Sequence, residues 1–121
     1  MRISIAWAAI ALVATAPCAQ AQQAAEYPDY QRESLYVPVR DGTRLAVNIY
    51  RPATGEVVEA GKLPVVFVFT PYRARFRDAD GVVQEAALSD DLALRSLLRA
   101  GYVVAVADIR GKGASFGHRR G

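Results

Sequence analysis

The chain has 121 residues, with 15 Lys and Arg against 12 Asp and Glu, a single His and a single Cys, and 52% hydrophobic residues. The basic residues are scattered apart from Arg73, Arg75 and Arg77 and the terminal Arg119-Arg120, and no basic stripe alternates with aromatics, which sets nucleic-acid binding aside. One cysteine excludes an internal disulfide framework and a cysteine zinc site.

Residues 1–21 have the layout of an export signal. Arg2 supplies the positive start, Ile3 to Ala16 is an uncharged apolar run, and Pro17 breaks it. Ala19-Gln20-Ala21 then fits the small-x-small cleavage pattern, with cleavage before Gln22. The run is shorter than the ~20 residues that a membrane-spanning helix needs. The expectation is a secreted or periplasmic protein with no membrane association once the signal is removed. An uncleaved anchor or a buried helix is one alternative. Lipidation at Cys18 is another, although Thr15 and Pro17 fit a lipoprotein signal poorly.

Residues 22–34 open on a polar stretch, Gln22 to Gln31, and are expected to form a loose mature N-terminus. Residues 35–121 carry the fold. Two β-rich runs flank Asp41-Gly42, a dipeptide suited to a hairpin turn. Leu35, Val37 and Val39 alternate on the first run, and Leu45, Val47 and Ile49 on the second, so each strand should have one buried face. Pro38 marks the first as an edge strand. Leu63 to Thr70 is continuously apolar up to its threonine, the pattern of a strand covered on both faces, and Pro71 ends it.

A loop containing Arg77-Asp78-Ala79-Asp80-Gly81 leads to a predicted helix. Ser89 is its expected N-cap, with Asp90 and Asp91 in the first turn, where the helix dipole favours negative charge. Asp91, Arg95 and Arg99 form a charged stripe, Leu94, Leu97 and Leu98 lie away from it, and Gly101 is the C-terminal stop. Tyr102 to Asp108 is a second apolar strand. Strand, helix and strand of this kind make a βαβ unit with a parallel sheet. The class is α/β, with an antiparallel hairpin leading into the βαβ unit. Four strands and one helix cannot cover both faces of that sheet. The expectation is therefore an incomplete fold, with a further helix beyond Gly121 or else a poorly closed core.

Gly113-Ala114-Ser115-Phe116-Gly117 matches the G-x-S-x-G pattern of a hydrolase nucleophile elbow. An elbow serine stands directly between a strand and a helix. Here Asp108 to Lys112 intervene after the strand, and the residues after Gly117 show no helical periodicity. His118 follows three residues later, with no acid after it to orient it. Ser115 is thus expected to be a turn residue whose hydroxyl caps local backbone groups. The same glycines raise a rival, a Rossmann-like dinucleotide-binding fragment. Their spacing is G-x-G-x-x-x-G rather than G-x-G-x-x-G, and no helix is visible behind them. A non-enzymatic exported binding module is a third reading.

Four motifs in order carry a resemblance: Val37 to Pro52 with its R-D-G-x-x-L core, Leu63 to Arg73 with Thr70-Pro71-Tyr72, Leu97 to Gly111 ending in D-x-R-G, and Gly111 to Gly117. Together they resemble the N-terminal part of the CocE/NonD hydrolases, the esterase and X-Pro dipeptidyl-peptidase group with the S15 peptidase fold. The resemblance implies an α/β-hydrolase fold and a serine hydrolase, which the N-terminal signal would export. Its substrates would be small-molecule esters or peptide-like amides, of acyl or X-Pro dipeptidyl type, cleaved through a Ser-Asp-His triad that lies beyond this chain. Ser115 then matches a loop serine that precedes the family's nucleophile elbow. Tyr72 matches the tyrosine that donates its hydroxyl to the oxyanion hole. Asp108, Arg110, Gly111, Gly113, Ser115 and Gly117 match a motif read as a structural clasp. No cofactor and no metal are expected, and a chain holding only these parts is expected to be inactive alone.

Overall fold

The structure is a computed structural model that describes residues 26–118. The expected export signal, the start of the expected loose N-terminus and Arg119-Arg120 lie outside the described residues. In chain order the elements are β1 (Asp29–Pro38), β2 (Arg44–Thr54), β3 (Val57–Val58), β4 (Val65–Thr70), β5 (Phe76–Arg77), β6 (Val83–Gln84), α1 (Ala86–Ser89), α2 (Leu92–Arg99) and β7 (Val103–Asp108). The main sheet runs β1-β2-β7-β4, with β3 paired to the end of β2. β1 and β2 are antiparallel, as are β2 and β7, while β4 and β7 are parallel. The mixed α/β sheet expected from the sequence is therefore present, and β1 is an edge strand as Pro38 requires.

The hairpin turn spans residues 39–43. Gly42, at φ 77°, donates its N–H to the Val39 carbonyl at 2.8 Å, and Val39 donates to the Thr43 carbonyl at 2.9 Å. β1 begins at Asp29, so residues 29–34 are ordered rather than loose. Asp29 faces Ala53 and Ser34 faces Asn48 across the ladder. Polar side chains hide this strand from a hydrophobicity pattern, yet they are engaged. Asp29 accepts the Gly55 N–H at 2.9 Å, Arg32 pairs with Glu85, and the Tyr30 ring meets Tyr50 edge-on at 5.6 Å.

One face of the sheet carries the core. Tyr50, Val104 and Val106 pack there against Leu88, Leu94 and Leu98 from the two helices. On β2 the deeper face is therefore Ala46, Asn48, Tyr50 and Pro52; of the predicted Leu45, Val47 and Ile49, Val47 is buried and the other two are half-buried. The Tyr50 ring occupies the core while its hydroxyl reaches Glu85 at 2.7 Å. Burial, and then that bond, hold its pKa far above the ordinary phenol value. On the opposite face of β4, Val65, Phe67 and Phe69 project, with Phe67 62% exposed, so the described residues cover only one face of this strand, as expected of an incomplete fold. β7 is buried along its whole length, because its alanines on that face sit low between the larger side chains of β2 and β4.

The N-cap of α2 is Asp91, not Ser89. The Asp91 carboxylate accepts from the N–H groups of Ala93 at 2.9 Å and Leu94 at 3.3 Å, the direct satisfaction of a helix start. Ser89 instead ends α1. At the other end Tyr102 donates to Leu97 and Gly101 donates to Leu98, with Gly101 at φ 90°, which is the left-handed stop expected of this glycine.

Candidate active site

The parallel strands β4 and β7 end side by side at Thr70 and Asp108, and the Ile109 N–H closes the pair onto the Thr70 carbonyl at 3.0 Å. Ligands of open α/β sheets bind outside these carboxyl ends. Three segments meet there: residues 71–75 after β4, residues 109–117 after β7, and the hairpin turn 39–43.

Tyr72 stands on the first segment. Pro71 fixes one backbone angle ahead of it, and its own N–H donates to Thr70 Oγ1 at 3.1 Å. Its side chain is 79% exposed and borders a cavity of about 240 Å³ shared with Thr70, Ala87, Asp90 and Asp91. The phenol is thus exposed among the described residues.

Ser115 is placed quite differently. It is 9% exposed, its hydroxyl donates to the Asp108 carbonyl at 2.7 Å, and the same oxygen accepts the Ala46 N–H at 2.8 Å. This hydroxyl stitches β2 to the end of β7. Its proton is given to a carbonyl, which cannot act as a base, and His118 is exposed. Among the described residues the Ser115 hydroxyl is committed to two main-chain partners and has no adjacent base, the arrangement of a turn residue rather than of an activated nucleophile.

Asp108 is buried, and its carboxylate accepts main-chain N–H groups from both loops, Ala74 at 2.8 Å and Ala114 at 3.0 Å. Gly113 is held at φ 53° with a virtual Cβ only 2.1 Å from Asp108 Oδ2, so only glycine fits. The glycine-rich loop thus wraps an anion of its own chain. In a phosphate loop such amides stay free for the ligand, so the dinucleotide reading has no support here.

Arg110 forks onto Asp41 at 2.7 and 3.0 Å and also donates to Thr43 Oγ1 at 2.7 Å. The Arg110 bonds, followed by the Thr43 N–H, hold the Asp41 carboxyl well below the usual carboxylate range. Gly117, at φ 85°, passes close over Arg110 and Thr43, and Gly111 donates to the Phe116 carbonyl at 3.1 Å. The sequence motif did not reveal Ala46, Ala74, Asp41 or Thr43 as partners. Two of the four contribute main-chain amides, which carry no residue-type signal.

The family model of the X-Pro dipeptidyl-peptidases, family S15, matches residues 41–121. The chain belongs to that family. This S15 chain is 32% identical over 107 residues to a Mycobacterium bovis protein provisionally named a serine esterase, covering 80% of the chain and 17% of that relative. It is 37% identical over 84 residues to the cocaine esterase of a Rhodococcus species, covering 69% of the chain and 12% of the esterase. Among solved structures it superposes on an aminopeptidase from a marine-sediment Thaumarchaeota archaeon with TM-score 0.51 and 27% identity, over 77% of this chain and 14% of that one. An α-amino acid ester hydrolase, solved as its selenomethionine form, gives TM-score 0.50 and 27% identity, over 88% and 17%. The S15 chain thus spans about a sixth of the curated mycobacterial relative. Its sheet is that of the opening part of an α/β-hydrolase fold of the CocE/NonD kind.

Proposed function

We propose that these residues form the oxyanion-side wall of a serine hydrolase that cleaves ester or amide bonds of small-molecule or X-Pro peptide-like substrates. Tyr72 is the donor. The nucleophile, acid and base are supplied by a G-x-S-x-G elbow and triad outside residues 1–121. The observation that carries this reading is the exposed Tyr72 phenol at the carboxyl end of a parallel strand, on a segment tied down at both ends while its side chain stays free. A hydroxyl held there can stabilise charge that develops on the carbonyl oxygen only as the nucleophile attacks, which is where such a donor lowers the barrier. Family membership and the names of the relatives support a serine-hydrolase type.

We also propose export, with residues 1–21 removed before Gln22, on the layout of the N-terminal sequence. Mass spectrometry of protein from the native host should find a mature chain starting at or near Gln22, and a retained Met1 would contradict it.

The activity is tested on the complete gene product with a fluorophosphonate probe, p-nitrophenyl esters and Xaa-Pro anilides. Covalent labelling with turnover of at least one substrate class is expected. A folded product that neither labels nor turns over any of them overturns the reading.

A further inference from the structure

The two oxygens of the Asp108 carboxylate serve different loops. Oδ1 accepts the N–H of Ala74, two residues beyond Tyr72, and Oδ2 accepts the N–H of Ala114 in the glycine-rich loop. The residue is only 2% exposed and terminates β7, which lies between β2 and β4, so the acceptor is anchored in the interior of the sheet. Gly113 presses on Oδ2 as closely as a residue without a side chain can.

We propose that Asp108 is a positioning residue that aims Tyr72, an inference that rests on reading Tyr72 as the oxyanion donor. The exposed phenol takes its direction from the backbone beneath it. That backbone is pinned before Tyr72 by the Thr70–Ile109 bond and by Pro71, and after it by Ala74. At Ala74 the carbonyl is held by the Ala87 N–H at 3.1 Å, while the N–H is held by Asp108. Hydrogen bonds to a carboxylate are roughly twice as strong as neutral ones. One side chain therefore sets the distance between the segment that carries the donor and the loop that walls the crevice. Asparagine has the same shape but presents an NH₂ to one of the two N–H donors, so only one loop can stay attached.

The test is a double-mutant cycle on the complete gene product. Asp108→Asn should lower kcat by about ten- to a hundredfold, the scale of a small misplacement at a reacting centre, with KM within about twofold. In a Tyr72→Phe background the same substitution should cost less than about twofold more, because no donor is left to aim. Losses that multiply in the double variant contradict the proposal, since a merely structural role would produce them. Should Asp108→Asn not fold, Gly113→Ala, which pushes on the same carboxylate, replaces it in the cycle. Hydrogen exchange resolved to single residues in the unsubstituted protein gives an independent readout. The Ala74 and Ala114 amides should exchange as slowly as Val104 and Val106, and exchange at free-loop rates overturns the clamp. Full activity of Tyr72→Phe would sink the donor reading and this proposal together. An impaired Tyr72→Phe with multiplying losses would sink this proposal alone.

Discussion

Ser115 hands its hydroxyl proton to the main-chain carbonyl of Asp108 at 2.7 Å and takes the Ala46 N–H at 2.8 Å, so the serine of the G-x-S-x-G pattern is a rivet between strands. Ser115→Ala leaves the Ala46 N–H buried and unpaired, a cost of about 1–3 kcal/mol. In the complete gene product it should lower the thermal midpoint yet leave fluorophosphonate labelling intact. Loss of labelling in a variant that still folds would make Ser115 the nucleophile.

Gly113 and Gly81 both have positive φ, 53° and 81°, but their surroundings differ. A Cβ at Gly81 meets nothing within 4 Å, whereas one at Gly113 lies 2.1 Å from the buried Asp108 carboxylate. Gly81→Ala should cost about 1–2 kcal/mol, the left-handed strain alone. Gly113→Ala should cost clearly more in the same denaturant titration, and equal costs would show that the loop does not rest on Asp108.

The Asp41–Arg110 fork should be sensitive to acid in a defined direction. The folded-state pKa of Asp41 is depressed, so its contribution is fully present above the ordinary carboxylate value and is lost as pH falls through the folded value. The gap in thermal midpoint between the native protein and Asp41→Asn should be constant from neutral pH to about pH 5. It should then narrow progressively below about pH 4. A gap that widened on acidification would contradict the sign.

What was legible in the sequence is what local pattern controls. The apolar runs of β4 and β7, the Asp41-Gly42 turn, the leucine face of α2 and the Gly101 stop all follow from period, turn chemistry or a left-handed requirement. β1 was legible only from Leu35 onward, because Gln31, Arg32 and Glu33 belong to an exposed edge where polar side chains are tolerated. Leu45, Val47 and Ile49 mark the shallower of two covered faces of β2, because the large Tyr50 ring, with a polar tip satisfied by Glu85, fills the core beneath the helices on the other. Asp91 displaced Ser89 as the cap because α1 ends first. The continuous apolar character of β4 does not show which elements cover it, and the described elements cover one face. At the site, Tyr72 and the glycine-rich loop were visible as motifs. Their partners were not: Ala74 lies 34 residues from Asp108 and Ala46 lies 69 from Ser115, and both offer only main-chain amides.

Oxyanion donation by Tyr72 is put to trial by Tyr72→Phe, which removes the hydroxyl and little else. The side chain is exposed, so folding should be untouched. Steady-state kinetics of the complete gene product on an ester substrate should show kcat lowered by about 10²–10³, with KM and thermal midpoint nearly unchanged, as expected when one oxyanion donor is lost. A Tyr72→Phe enzyme that keeps the full kcat would show that Tyr72 is not the oxyanion donor.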